Sequence, residues 1–509
     1  MKYSKRIICA GNGLAALNLA LHLADDTELL ILAAADFSAS NSYLAKGGIA
    51  IPLQEEDAER HIQDTLIAGD GLCDEAVVRE LIHEAPAVVN MLRHFGLNFD
   101  SSLSREGGHS CARIHHVADE TGRHVVTALH QHVVRKKNVK ILTAHHLLSL
   151  YMDKGVCAGA VAGDSVTQKV KLITADAVVL ATGGCGNLYH YHTNAPFANG
   201  EGYAMAERAG ARMADMEFVQ FHPTRLYDPL LQHHLLITEA FRGAGAVLRD
   251  HAMRDLMADV HPLGSLAPRD VVSRSMHTCM KESGHDFLWL DFSKVDMQLM
   301  KSDFPALFSM CTQKGYLKNK RIPVTPAAHY MCGGVVTDTF GATTVPGLYA
   351  VGEVARTGLH GANRLASNSL MELLVISKRL AERLNETGTV NKHKTVELPT
   401  TAEHPHAVYA DPVLRKVKRI MWDYFGIVRN AVSMQHGLEE LYQLEACLPP
   451  LSHTADITLQ QTHHAVHAAT LIARSALMRK ESRGCHYRED FSAAHNTSAK
   501  EPGNLVDIS

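Results

Sequence analysis

The 509-residue chain lacks any marked charge excess: 50 basic against 54 acidic residues leave a net charge of −4. No basic field points to nucleic acid. No apolar run reaches the roughly 18 residues that a membrane span requires. The ten cysteines form no Cys-x-x-Cys pair and keep no regular spacing. That removes a zinc ribbon, a thioredoxin-type pair and a cysteine-ligated iron–sulfur site. Internal repeats and long low-complexity segments are missing as well. With 46% apolar and 20% charged residues, the chain has material for a large core and is neither disordered nor collagen-like. Scattered thiols in so long a chain read as small buried hydrophobes in a reducing compartment, which predicts a cytoplasmic protein.

The informative features are glycine-rich turns set between apolar runs. Arg6–Ala10 reads as a strand, Gly11-Asn12-Gly13-Leu14-Ala15-Ala16 as a turn, Leu17–Ala24 as a helix and Glu28–Ala33 as a second strand. This is a βαβ unit of dinucleotide-binding size. Lys2, Lys5 and Arg6 before an apolar stretch resemble a secretory signal, but the glycines inside that stretch favour strand, turn and helix. In Gly11-x-Gly13-x-x-Ala16 the first glycine permits the turn and the second admits a pyrophosphate. The small third residue lets helix and strand pack. The second strand ends in Leu32-Ala33-Ala34 without the acidic residue that usually binds a ribose; Asp36 lies just beyond it. Ala177–Ala181 leads into Thr182-Gly183-Gly184, and Gly347–Glu353 is a third apolar run. The nucleotide domain is therefore expected to be discontinuous. After Leu398 the segments Leu414–Met421, Val428–Leu444 and Thr458–Lys480 carry helical spacing, with a polar tail after Arg488.

The fold expected is α/β: a discontinuous Rossmann-like dinucleotide-binding domain (the FAD-binding domain of the resemblance given below), an inserted α+β capping domain and a C-terminal helical bundle. The boundaries predicted are 1–220 and 329–398 for the two parts of the dinucleotide-binding domain, 221–328 for the cap and 399–509 for the helical domain. The 33 histidines include the pairs His115-His116, His145-His146, His233-His234 and His463-His464. No His-Glu-x-x-His or carboxylate triad accompanies them, so no metal site is expected. The basic cluster Arg479–Arg483 reads as a solvated face.

Eight ordered motifs carry a resemblance. They are Gly11-Asn12-Gly13, Lys46-Gly47-Gly48, Ala181-Thr182-Gly183-Gly184, His222-Pro223-Thr224, Thr238-Glu239-Ala240-x-Arg242-Gly243, Pro268-Arg269-Asp270, His329-Tyr330-x-x-Gly333-Gly334 and Gly361-Ala362-Asn363-Arg364-Leu365-Ala366-Ser367-Asn368-Ser369-Leu370. In this order they resemble the succinate dehydrogenase/fumarate reductase flavoprotein family. The resemblance implies bound FAD. Its contacts fall on Gly11, Asn12, Gly13, Leu14, Ala15, Asn41, Ser42, Ala45, Lys46, Gly47, Gly48, Glu201, Glu353, Ser369 and Leu370. Glu353 is expected to take the acidic ribose role, and a helix from near Ser369 to aim its positive end at the flavin. Asn41 stands where dehydrogenase members carry a flavin-linked histidine, so the FAD is expected to be non-covalent.

The family's carboxylate-binding residues correspond to Arg269, Arg364, His222, His329 and Thr238. Paired guanidinium forks suit a dicarboxylate. Arg105-Glu106-Gly107-Gly108-His109-Ser110 is similar to the stretch of aspartate-oxidising members, where a Glu faces the substrate amino group. The resemblance implies oxidation of L-aspartate to iminoaspartate by hydride transfer from Cα to flavin N5. Dioxygen (giving H2O2) or fumarate would reoxidise the flavin. In the family this is the first step of NAD biosynthesis, coupled to quinolinate synthase. A soluble fumarate reductase or succinate-oxidising flavoprotein is the alternative. Two departures, Ala33-Ala34 for the usual Ser-Lys and Glu201 for Asp, predict weakened FAD affinity.

Overall fold

The computed structural model describes residues 3–229, 235–388, 393–398, 407–451, 456–491 and 507–508. The pair His233-His234 and most of the tail after Arg488 lie outside them. At the centre is a five-stranded parallel sheet. Its strand order is Leu348–Ala350, Ala177–Leu180, Lys5–Ala10, Thr27–Ala33 and Val139–Thr143. Thr27–Ala33 is buried along its whole length, as expected of a parallel strand covered on both faces. The late strand Leu348–Ala350 pairs beside Ala177–Leu180, so the sheet is assembled from chain segments separated by a long insertion.

The first helix spans Leu14–His22, with Gly13 at its cap. It starts three residues earlier than the sequence reading placed it, because the turn needs only Gly11 to Gly13. Gly11 sits at φ +107, and a Cβ there would stand 2.2 Å from the Ala181 carbonyl oxygen. No L side chain fits that corner. Asn18 on this helix donates to the Leu374 carbonyl at 2.8 Å and to Ser377 Oγ at 2.9 Å. Those bonds dock it against the helix Asn368–Glu386.

An antiparallel sheet that the sequence did not announce takes three strands from between the third and fourth segments of the parallel sheet and a fourth from after its last. Its order is Thr395–Leu398, Val170–Thr174, Val156–Asp164, His145–Asp153. The inserted segment forms another antiparallel sheet, ordered Val219–Leu226, Arg321–Met331, Leu288–Asp291, Val247–Arg249. It shares its own apolar core with the helix Arg269–Ser283. Both expected domain boundaries flanking the cap fall inside strands of this sheet, Val219–Leu226 and Arg321–Met331.

Three C-terminal helices follow, Ala407–Phe425, Ala431–Cys447 and Ile457–Met478. The segment Val428–Leu444 is not one helix. Val428–Arg429 pairs in parallel with Tyr487–Arg488, and Asn430 starts the helix by accepting the Ser433 amide at 2.9 Å. The cluster Arg479–Arg483 is not a solvated face either. Arg479 and Arg483 are each only 4% exposed, and Arg479 pairs with Glu217, Asp215 and Glu481. A buried carboxylate pair from the distant turn before the strand Val219–Leu226, invisible in the local pattern, draws this arginine inward. Among the described residues no helix is long and apolar enough to cross a membrane.

Several histidines are structural and buried neutral. His464 bonds the Leu148 carbonyl at 2.8 Å, and His109 that of Ala366 at 2.9 Å. Burial, with nearby arginines, holds both near 4. The unfolded chain takes up protons near pH 6.5 whereas these folded sites refuse them. Stability should therefore fall as pH drops from about 6.5 towards 4, by up to ~1.4 kcal/mol per pH unit for each group. Urea midpoints at about pH 7.5 and pH 5 test this. His464→Gln should flatten the slope, and an unchanged slope would refute the assignment.

Candidate active site

Two adjoining clefts meet where the parallel sheet, the cap and the helix Asn368–Glu386 come together. The larger, of about 1070 Å³, is lined by Gly13–Ala15, Asn41, Ser42, Ala45–Gly48, Glu106, His222, Thr238, Arg269, His329, Glu353, Arg364, Ser369 and Leu370. The second, of about 820 Å³, is lined by Gly11–Gly13, Asp36, Asn41, Ser42, Thr182, Gly183 and Glu201. Every residue expected at the site from the sequence lines one cleft or the other.

The second cleft and its junction with the first fit an elongated dinucleotide. Gly13 caps the first helix without any side-chain bond, leaving amide donors open for an anion. At Gly183, φ +74, a Cβ would meet only Asn41 Nδ2 at 3.9 Å. Buried polar atoms without a protein partner, Thr182 Oγ1 and Glu201 Oε1, border the same space. Ser42 Oγ accepts the Leu14 amide at 3.2 Å, and Asn12 Nδ2 donates to the Ala35 carbonyl at 2.7 Å. Both bonds set the turn. Burial pushes the Glu201 carboxyl up to about 7.

Glu353 lines the larger cleft and not the second. The carboxylates of the second cleft are Asp36 and Glu201. Glu353 Oε1 instead accepts the Met331 amide at 3.0 Å, and burial raises its carboxyl to about 7. Asn41–Leu44 forms a short helix rather than a loop, with Asn41 Oδ1 accepting the Ala195 amide at 2.7 Å. Lys46 pairs with Glu120 at 2.8 Å.

In the larger cleft the cations are built on rigid supports. Arg364 donates to Ser369 Oγ at 2.6 Å and to His329 Nε2 at 3.1 Å, and it stacks over Tyr330 at 4.1 Å. A guanidinium only donates, so His329 Nε2 accepts and its Nδ1–H donates to Thr193 Oγ1 at 2.7 Å. Both ring nitrogens of His329 are therefore engaged in holding Arg364. His222 Nδ1 accepts the Thr224 amide at 3.2 Å, which puts its proton on Nε2. Burial, then the charge of Arg269 on His222 and of Arg364 on His329, keeps both rings neutral. Thr238 Oγ1 is buried without a partner.

Arg269 donates to Glu239 Oε2 at 2.7 Å and to Gln220 Oε1 at 3.0 Å. Glu239 also pairs with Arg242 at 2.9 Å. Burial works to raise the Glu239 carboxyl, but the two arginines override it and hold it down. Glu106 is 2% exposed. Its Oε2 accepts from Ser367 Oγ at 2.5 Å, while Oε1 lies against Gly47. Burial and then the charge of Glu239 push the Glu106 carboxyl up. Sequence reasoning gave no role to Glu239, Gln220, Thr193 or Ser367. Only Glu239 and Ser367 stood inside a quoted motif.

No group of three or more His, Cys, Asp or Glu among the described residues is placed to hold a metal. The paired histidines make ordinary contacts: His116 to Asp100 at 3.0 Å, His145 to the Thr143 carbonyl at 2.9 Å, His463 to the Pro449 carbonyl at 2.7 Å.

The chain matches the FAD binding domain family over residues 6–370 and the fumarate reductase flavoprotein C-terminal family over residues 414–500. It is 39% identical to L-aspartate oxidase 2 of Ralstonia nicotianae, covering 99% of this chain and 94% of that one. With the L-aspartate oxidase of Bacillus subtilis it shares 39% identity over 96% and 92% of the two chains. Among solved structures, a mutant of E. coli quinol fumarate reductase superposes with a TM-score of 0.83 at 29% identity, covering 95% of this chain and 91% of that one. Full-length similarity and a cleft with paired arginines and an added buried glutamate agree: the chain belongs to the L-aspartate oxidase family of FAD-binding flavoproteins.

Proposed function

We propose that this chain oxidises L-aspartate to iminoaspartate with non-covalently bound FAD. The net reaction consumes dioxygen and yields H2O2, or reduces fumarate to succinate, as the entry step of NAD biosynthesis. One observation carries the choice of substrate. Three glutamates line the cleft beside Arg269, Arg364, His222 and His329: Glu239 is paired with Arg269 and Arg242, Glu353 accepts the Met331 amide, and the buried Glu106 accepts from Ser367 on Oε2 and turns Oε1 to Gly47. A dicarboxylate without an amine leaves Glu106 without a counter-charge, whereas an amino dicarboxylate matches both signs.

When bound, FAD supplies the acceptor for the hydride leaving Cα. The chain's own residues bind, orient and handle protons. Arg269 and Arg364 take the two carboxylates, with Thr238 Oγ1 and His222 Nε2–H as further donors. His329 fixes Arg364 through its accepting Nε2. The amine must lose a proton before hydride can leave, and Glu106 Oε1 is the base beside Gly47 that can hold it. Arg269 stays charged and binds carboxylate. In this reading residues 1–220 and 329–398 hold FAD, 221–328 cap the cleft and 399–509 brace it. The imine product hydrolyses in water, which favours coupling to quinolinate synthase in the cytoplasm.

The test is anaerobic bleaching of the FAD band by L-aspartate and by succinate in parallel. L-Aspartate alone should bleach the natural enzyme. Glu106→Gln should raise the L-aspartate requirement about 10- to 100-fold, the loss of one charge-assisted hydrogen bond. Fumarate reduction should survive. An unchanged L-aspartate requirement would overturn the assignment.

A further inference from the structure

We propose that Ser367 is a positioning residue for Glu106: its hydroxyl fixes that carboxylate and leaves the free oxygen for the substrate amine. This rests on the reading of Glu106 given above. Ser367 directly precedes the helix Asn368–Glu386, where a serine normally turns its oxygen onto an amide of the first turn. Here it does not. It makes no side-chain cap and holds a left-handed backbone, φ +61 and ψ 6, a region that side chains other than glycine enter rarely.

The hydroxyl is spent elsewhere. Ser367 Oγ accepts the Gly48 amide at 3.3 Å and donates to Glu106 Oε2 at 2.5 Å. The Ser367 carbonyl accepts the Ala50 amide at 3.1 Å. With Gly48 N–H on its lone pair, the hydroxyl proton is left to point at Glu106. One residue thus ties the glycine strand Lys46–Gly48, the helix start and the amine-facing carboxylate together. Glu106 Oε1 lies so close to Gly47 that a Cβ there would come within 2.6 Å, so the carboxylate plane has little room to turn. The uncapped helix start also keeps its amides open to the cleft, which a capping serine would close.

The charged groups acting on Glu106 are Glu239, Arg269, Arg364 and Arg242. Among the described residues Ser367 is the neutral side-chain donor to its carboxylate. Removing a donor to a carboxylate favours its protonated form. The acid limb of kcat/KM for L-aspartate reports the ionisation of Glu106, and it should move to higher pH by roughly one to two units.

The experiment compares Ser367→Gly, Ser367→Ala and Glu106→Gln as FAD-loaded enzymes. The pH dependence of kcat/KM is measured for L-aspartate and, separately, for fumarate reduction by the dithionite-reduced protein. Glycine accepts φ +61 without strain while alanine does not, so the two hydroxyl-free variants should differ in thermal midpoint. Both should nevertheless shift the L-aspartate limb equally. The fumarate profile, with no amine to bind, should stay put. Glu106→Gln should abolish the limb. If it leaves the limb intact, the reading of Glu106 fails. If it abolishes the limb while both Ser367 variants keep it in place, or if they shift the fumarate profile as much, only the role of Ser367 fails.

Discussion

Arg364→Leu should lower kcat/KM for L-aspartate about a thousandfold while FAD absorbance is retained. Arg364 is 6% exposed and is held from three sides, by Ser369, His329 and the face of Tyr330. Loss of one partner of a desolvated charge pair costs about 2–5 kcal/mol, and each 1.4 kcal/mol is a factor of about ten. A guanidinium already immobilised needs no ordering when the carboxylate arrives, so the upper part of that range applies. Arg364→Lys should recover little, because an ammonium cannot serve Ser369, His329 and a carboxylate fork in one plane. Steady-state kinetics with flavin quantitation decide it. A kcat/KM within tenfold of the natural enzyme would remove Arg364 from carboxylate binding.

The second large effect is on stability and lies far from the chemistry. Glu217 is fully buried and accepts hydrogen bonds from Ser475 Oγ and Arg479 Nε. Arg479 in turn reaches Asp215 at 3.2 Å, Asp215 reaches Arg356 at 2.9 Å, and Arg429 donates to the Glu217 carbonyl at 2.8 Å. This network joins the helix Ile457–Met478 to the strand Val219–Leu226, which carries Gln220 and His222. Glu217→Ala should destabilise by about 3–5 kcal/mol, since it leaves two buried donors, Arg479 Nε and Ser475 Oγ, without their acceptor. Glu481, 28% exposed on the same arginine, should cost under ~1 kcal/mol when replaced by alanine. Denaturant midpoints followed by helix content distinguish the two. Equal effects would mean that burial does not set the strength of this network.

The helical bundle therefore supports the cleft through buried charge, and its local pattern hid this. Arg479-Lys480-Glu481-Ser482-Arg483 has the composition of a surface segment. Its burial depends on carboxylates more than 260 positions earlier in the chain. The antiparallel sheet of His145–Thr174 was equally hard to read. Its strands mix alanine, glycine and polar residues, with neither the clean alternation nor the apolar run that periodicity detects. By contrast the strands Lys5–Ala10, Thr27–Ala33 and Ala177–Leu180 stand out, because a parallel strand buried on both faces must be apolar throughout.

By itself the sequence determined the dinucleotide turn, the split parallel sheet and the residues that gather in the cleft. Each of these rests on a local requirement: a glycine where no Cβ fits, an apolar run, an arginine within an ordered motif. Only the tertiary structure decided how those groups are wired. It placed Glu353 in the larger cleft, occupied both nitrogens of His329 with Thr193 and Arg364, and turned the hydroxyl of Ser367 from its own helix onto Glu106. The side-chain pairs among these stand 35 to 261 positions apart. No local pattern encodes them, because they exist only once packing has excluded water and each buried polar group must find a partner.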